Sequence, residues 1–242
     1  MSTKRQHIEI RGLPVEIVRK DIKNLHLGVY PPDGRVRVAA PLRLTDEAIR
    51  LAVITRLAWV RRQQAGFERQ ERQSEREMVS GENHYVQGRR YRLSVVEKNV
   101  PRSVATRKST ILEMRIPPGT ARQAREVALH QWYRQRLRAR LPELIQKWEP
   151  IVGVRVAECK IKRMRTRWGS CNPRANRIWV NLGLAKKTDS CLEYILVHEM
   201  VHLLERHHNN RFRDYMNRFM PQWRLYRDEL NRSPLAHESW GY

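Results

Sequence analysis

The sequence predicts an α+β protein: a β-rich N-terminal part with one long helix, then a C-terminal half organised around a helix spaced H-E-x-x-H. Three observations predict this. Short runs rich in β-branched residues (HIEIR, VEIV and RVRVAAP) fill residues 7–45 and partly alternate, as strands do. Helical spacing of apolar residues then sets in at Thr45. Finally, the stretch Ser190–His208, SCLEYILVHEMVHLLERHH, is apolar on nearly every side of a helix yet carries His198, Glu199 and His202 in its middle.

In order, the first strands are expected to form a small antiparallel meander. Tyr30-Pro31-Pro32-Asp33-Gly34 would be its turn, with proline fixing φ and Asp-Gly closing the bend. Thr45 with Asp46 and Glu47 reads as a helix cap followed by acids in the first turn. Ile49, Val53, Leu57 and Val60 continue that helix, expected over 45–78, although FERQERQSERE from Phe67 is almost wholly polar. That polar end is either a solvated helix face or an arm laid along a partner. Strands resume with YRLSVVEK and ILEMRIP, separated by a basic exposed loop, Arg102 to Lys108.

Pro117-Pro118-Gly119 breaks the chain, and a boundary at 118/119 divides it into an N-terminal region (1–118) and a C-terminal domain (119–242). Thr120 with Gln123 matches a capping box that opens a helix to about Arg140. Val127, Trp132 and Leu137 mark its apolar side, and arginines crowd the rest. VGVRVAECKIKRM from Val152 and Arg177–Asn181 read as strands, with the tight loop Thr166-Arg167-Trp168-Gly169-Ser170-Cys171 between them. Ser190 with Glu193 gives a second capping box, and Asn209 or Asn210 can cap a last helix carrying Phe212, Tyr215, Met216 and Phe219.

The chemistry is expected on the Ser190–His208 stretch. An ionisable group inside an apolar helix is costly unless it is paired or holds a metal. His198 and His202, four apart, lie on one face one turn from each other, a spacing at which two imidazoles bind one zinc ion. Glu199 lies beside them, able to reach a metal-held water without being a ligand. A third ligand would come from beyond the helix, where His207 and His208 compete. Related spacings place a glycine three residues after the second His to make that turn; Glu205 stands there, so the turn must be made differently.

Composition bounds the rest. With 242 residues, 40% hydrophobic, the chain is long enough for one large domain or two small ones. Lys and Arg total 48 against 25 Asp and Glu, a net charge of +23 that favours polyanionic partners such as DNA or nucleoprotein. Candidate nucleic-acid contacts are Arg102, Arg107 and Lys108 in the basic loop and Arg134 and Arg138 on the following helix. Cys159, Cys171 and Cys191, an odd count without C-x-x-C, argue against a disulfide framework or an all-cysteine zinc site. The N-terminus has no apolar run behind its charges and no stretch reaches about 18 apolar residues, so neither secretory signal nor membrane span is expected and the location reads as cytoplasmic. Nothing in the sequence sets an oligomeric state.

Taken together, these residues resemble the YgjP-like metallopeptidase family, relatives of the SprT and WLM-type zinc proteases. The loop from Thr166 to Cys171 is similar to the family's T-R-W-G-S-C pattern; Asn181-Leu182 and Glu193-Tyr194 match the pieces that follow. His198-Glu199-Met200-Val201-His202-Leu203 with His208 and Phe212 matches H-E-L-x-H-L, then N-H, then F-W. Val29-Tyr30-Pro31-Pro32-Asp33-Gly34-Arg35-Val36 resembles the opening strand and turn, so the likeness runs from about residue 7 to about residue 230. His207 replaces the family's Asn and Arg213 its Trp.

The resemblance implies a C-terminal zincin-like metallopeptidase half, one Zn2+ per chain on His198, His202 and His208, and Glu199 as general base in peptide-bond hydrolysis. It makes His208 rather than His207 the third ligand. A protein or peptide substrate follows, near nucleic acid or on nucleic-acid-bound proteins, as the SprT likeness suggests. Arg177, Trp179 and Asn181 are the candidate substrate contacts, on a strand able to pair with an extended peptide. His207, Arg167 and Tyr215 are candidate oxyanion donors, and Asp214 or Glu205 could orient a ligand histidine. Ser170 and Cys171 lack a separate base and orienting acid, so a nucleophile is not expected there. The alternatives are a nucleic-acid-binding accessory protein with a structural or residual zinc site, and a hydrolase of a non-peptide bond.

Overall fold

The computed structural model describes residues 5–30, 34–69, 76–164 and 167–232, and the chain divides into two compact units, Met1–Arg72 and Gln73–Tyr242. In the first, β1 (Arg5–Ile10), β2 (Leu13–Lys20), β3 (His26–Tyr30) and β4 (Arg35–Pro41) form a sheet in the order β1-β2-β4-β3. It is not the expected meander, because the central pair β2/β4 is parallel while both outer pairs are antiparallel. Val15, Ile17, Val36 and Val38 are fully buried against α1 (Asp46–Ile54) through Ile49 and Val53. Thr45 caps α1 as its sequence predicts, accepting from the Ala48 amide at 3.2 Å. The single helix expected over 45–78 is instead α1 followed, after Thr55-Arg56, by α2 (Leu57–Arg69). The polar segment 67–77 falls largely outside the described residues.

The second unit opens with a sheet of the same design. β5 (Asn83–Val86), β6 (Arg89–Glu97), β7 (Ser103–Arg107) and β8 (Ile111–Ile116) are ordered β5-β6-β8-β7, again with a parallel centre and antiparallel flanks. In both sheets the first hairpin turns on a residue and a glycine with positive φ, Arg11-Gly12 and Gln87-Gly88. The expected basic loop is therefore mostly an edge strand, β7, paired to β8 from Ser103 to Arg107.

α3 (Arg122–Val152) is longer than expected, running through Pro142 to a C-cap at Gly153 with φ 75°. Thr120 does not cap it: its hydroxyl donates to Pro117 O at 2.6 Å, and Ala121 holds the cap position without a side-chain bond. A three-stranded sheet follows, β9 (Glu158–Lys162), β10 (Gly169–Asn172) and β11 (Arg177–Asn181) in the order β10-β11-β9, and then α4 (Asp189–Val201), α5 (Asn210–Phe219) and α6 (Trp223–Arg232).

The boundary expected at 118/119 is not where the chain divides, since β5–β8 belong to the same unit as α4. The β5–β6 turn clasps the start of α4: the amides of Gln87 and Gly88 donate to Ala185 O and Lys186 O at 3.0 and 3.1 Å. A Cβ on Gly88 would lie 2.5 Å from a methyl carbon of Thr188, so only glycine allows that approach. Thr188, rather than Ser190, caps α4, accepting from the Cys191 amide at 3.3 Å. Glu193 is committed elsewhere, to the Trp148 indole at 2.6 Å and to Lys147. Leu196, Val197, Met200 and Val201 of α4 are fully buried, each contributing roughly 1.5–3 kcal/mol, enough together to offset the cost of polar groups on the same helix. Among the described residues no helix is long and apolar enough to cross a membrane.

Candidate metal centre

α4 presents His198 and Glu199 in its last turn and ends at Val201, so His202 is already the C-cap residue. The chain then turns back without the glycine that related spacings use. The Glu205 amide donates to Val201 O at 2.9 Å, and its carboxylate accepts from the His207 amide at 3.0 Å. Asn209 caps α5 by accepting from the Phe212 amide at 3.0 Å. This reversal carries His208 over the end of α4: its Nε2 lies 3.0 Å from His198 Nε2 and 3.1 Å from His202 Nε2. Phe212, buried on α5, stands behind all three imidazoles, its ring centroid 4.7 to 4.9 Å from each.

The protonation pattern suits ligands. His202 Nδ1–H donates to Glu205 O at 3.0 Å, leaving the Nε2 lone pair free. The Glu205 backbone thus fixes the His202 ring, while Asp214 stays exposed on α5. Burial, with His202 and His208 alongside, pushes His198 down to about 3, and burial also lowers His202, so both rings are neutral near neutral pH.

Three imidazole nitrogens meeting at one point cannot all satisfy one another with protons, whereas one cation between them satisfies all three. At a tetrahedral zinc with bonds of about 2.0–2.1 Å, neighbouring ligand atoms stand about 3.4 Å apart, close to the spacing seen here. His198 Nδ1 is buried without a hydrogen-bond partner among the described residues, so the contact that engages this ring is the one at Nε2. The residues fit the metal.

Glu199 is 5% exposed, and burial pushes its carboxyl up to about 8 against the opposing pull of the Arg167 guanidinium. It lies against the backbone of β10. A Cβ on Gly169 would overlap Glu199 Oε1 and lie 2.7 and 2.8 Å from its Cγ and Cδ. Gly169→Ala is therefore expected to displace the carboxylate, lowering turnover about 10²-fold, the scale of a misplacement of about 1 Å, with metal content unchanged. Metal analysis beside peptide hydrolysis checks this; unchanged turnover would refute the fit.

A cleft of about 1160 Å³ opens over these groups, lined by β10, Trp168, Trp179, the ligand loop and the 3-10 turn Pro173–Ala175. Trp168 packs on Gly183 and beneath the buried Lys187, whose Nζ is 5.5 Å from the ring centroid. Of the three expected substrate contacts, only Trp179 lines the cleft. Arg177 is ion-paired with Glu158 and stacks over Trp179. Asn181 is buried, its amide donating to Met164 O and Arg167 O at 2.7 Å each and its oxygen accepting from the Gly183 amide at 3.0 Å.

The expected pairing strand β11 is hydrogen-bonded on both sides, to β10 and β9, and has no free edge. The free edge beside the glutamate is β10. Asn181 N donates to Trp168 O at 2.8 Å, so by alternation the N–H and C=O of Gly169 and Cys171 point away from β11. The sequence places Gly169 in a tight loop and Phe212 on the last helix; Gly169 instead begins the strand β10, and its contact with Glu199, the contacts of Phe212 with the imidazoles and this free edge are set by the fold.

Of the proposed nucleic-acid contacts, Arg102, Arg107 and Lys108 are exposed on or beside β7, with Arg107 paired to Glu113 at 3.2 Å; Arg134 and Arg138 lie one turn apart on α3. His207 is exposed beside the ligands, Arg167 lines the cleft, and Tyr215 is held by Arg211 at 3.2 and 3.3 Å.

Three convergent imidazoles beside a buried glutamate are the donor set of a metal-dependent hydrolase. The family model described as YgjP-like, metallopeptidase domain, matches residues 23–233, and the chain belongs to this family of metallopeptidases. No curated protein matches the chain. A solved structure, the metallopeptidase zymogen of Pyrococcus abyssi abylysin, is similar at 17% identity and a TM-score of 0.35, covering 39% of this chain and 98% of that one. At that score the likeness assigns no role to any residue here.

Proposed function

We propose that this chain is a zinc-dependent endopeptidase in which His198, His202 and His208 hold one zinc ion and Glu199 is the general base, in a zincin-like half. The observation that carries this reading is the meeting of three Nε2 atoms, two of the contacts being 3.0 and 3.1 Å, beside a buried carboxylate with space for a peptide above it. When bound, the zinc ion supplies Lewis acidity to a water and to the substrate carbonyl.

The chain's own residues do the rest. An extended peptide pairs with the outward N–H and C=O groups of Gly169 and Cys171, which brings its carbonyl over Glu199. Burial alone would keep Glu199 largely protonated near neutral pH; the charge of a bound zinc ion would favour its carboxylate, which then accepts the attacking water's proton and returns it to the leaving nitrogen. Arg167, on the cleft wall and close enough to Glu199 to influence its ionisation, is the best-situated cation for charge developing on the carbonyl oxygen.

The nucleic-acid setting rests on the net charge of +23, which favours work near polyanions. Three free cysteines, Cys159, Cys171 and Cys191, support a reducing, cytoplasmic location. The test is hydrolysis of an unstructured protein followed by mass spectrometry. Cleavage is expected from the zinc-loaded chain, is lost after chelation and dialysis, and returns on adding one equivalent of zinc. Cleavage that survives complete metal removal would overturn the proposal.

A further inference from the structure

The cleft is lined by cations with almost no acidic counterpart. Glu199 is the only acidic residue among those lining it, and it is buried at the metal centre. Arg167, Arg174 and Arg206 also line it, all exposed. Among the described residues none of these three is ion-paired, whereas Arg115, Arg125, Arg140 and Arg177 each meet a carboxylate. Their placement follows the edge strand: Arg167 stands two residues before β10, Arg174 two residues after it. Four paired residues of extended peptide span about 13 Å at about 3.3 Å each, so these two arginines bracket such a segment. Arg206 comes from the ligand loop, between His202 and His208.

Resting on the peptidase reading above, we propose that the cleft selects extended peptides with acidic side chains on both sides of the scissile bond. Unpaired charges on the walls of a concave site reinforce one another and raise the local concentration of opposite charge. An exposed pair is worth up to about fivefold in affinity, so two matched acids give up to about 25-fold, and about tenfold when each contributes about threefold. The same field excludes basic segments, so this very basic chain is a poor substrate for itself.

The experiment uses three fluorescent peptides with one neutral core and Asp, Ala or Lys at the flanking positions. Binding is read by anisotropy on zinc-loaded Glu199→Gln, and hydrolysis on the wild type. The Asp peptide is expected to bind about tenfold more tightly than the Ala peptide, with the difference in KM rather than kcat and diminishing as salt rises. Arg174→Gln with Arg206→Gln cuts the difference to the part that Arg167 alone supports, about threefold, while zinc content stays at the wild-type level. Arg174→Gln alone removes part of it, which keeps the test intact if Arg206→Gln disturbs the ligand loop. Arg102→Gln with Lys108→Gln, away from the cleft, leaves it in place. Equal binding of the Asp and Ala peptides, or a preference undiminished in the Arg174/Arg206 double variant, overturns the proposal. Hydrolysis of no peptide would sink the peptidase reading instead, and anisotropy would still decide the preference.

Discussion

His208→Ala is expected to leave purification without zinc, while wild type and His207→Ala each carry one zinc per chain. His208 contributes the nitrogen that closes the set, 3.0 Å from His198 Nε2 and 3.1 Å from His202 Nε2. Without it, the two remaining imidazoles lie at the end of one helix with no third donor among the described residues at the same point. Losing a group that merely orients a ligand costs about 10–100-fold in metal affinity, so losing a ligand should cost more than about 100-fold. His207 is a poor substitute: its amide is fixed on the Glu205 carboxylate and its residue is exposed beside the site. Activity should fall with the metal, to the chelated wild-type level. Elemental analysis after dialysis against trace zinc decides the matter, and stoichiometric zinc in His208→Ala would mean that the third ligand is another residue.

Glu199→Gln is expected to separate binding from chemistry. Glutamine has the same shape, so it keeps the contact with Gly169 and the buried position, but it cannot take a proton. General acid–base catalysis contributes about 10²–10⁴-fold, and turnover should fall by that factor with zinc content unchanged and KM close to wild type. Stability should hold or rise, because burying this carboxyl is unfavourable enough to push it up to about 8. A melting temperature at or above wild type, together with lost turnover, is the signature of a group kept for function at the expense of stability. Turnover within tenfold of wild type would remove Glu199 from the role of base.

The sequence was most legible where chemistry and local geometry coincide. The His198–His202 pair and Glu199 follow from the helix repeat alone, because a four-residue step brings two side chains onto one face whatever else the chain does. Thr45 and Asn209 as helix caps are equally local, each satisfying an amide three residues on. Local signals failed where a distant partner outbid them. Ser190 with Glu193 has capping-box spacing, yet Thr188 caps α4 because Glu193 is taken by Trp148 and Lys147 of α3. Arg177, Trp179 and Asn181 form an evident strand, but whether a strand is an edge is decided by its neighbours, and β10 and β9 cover both sides.

The sequence by itself determined the class of chemistry, the α+β character and the residues able to bind a metal, since composition, helical periodicity and donor type are properties of short stretches. Only the tertiary structure decided that the β5–β8 sheet belongs with the metal helix, that Gly169 is the wall against Glu199, and that β10 carries the open edge. These depend on contacts between residues far apart in the chain, such as Gln87 with Ala185 and Gly169 with Glu199, and no periodicity within either segment encodes its partner.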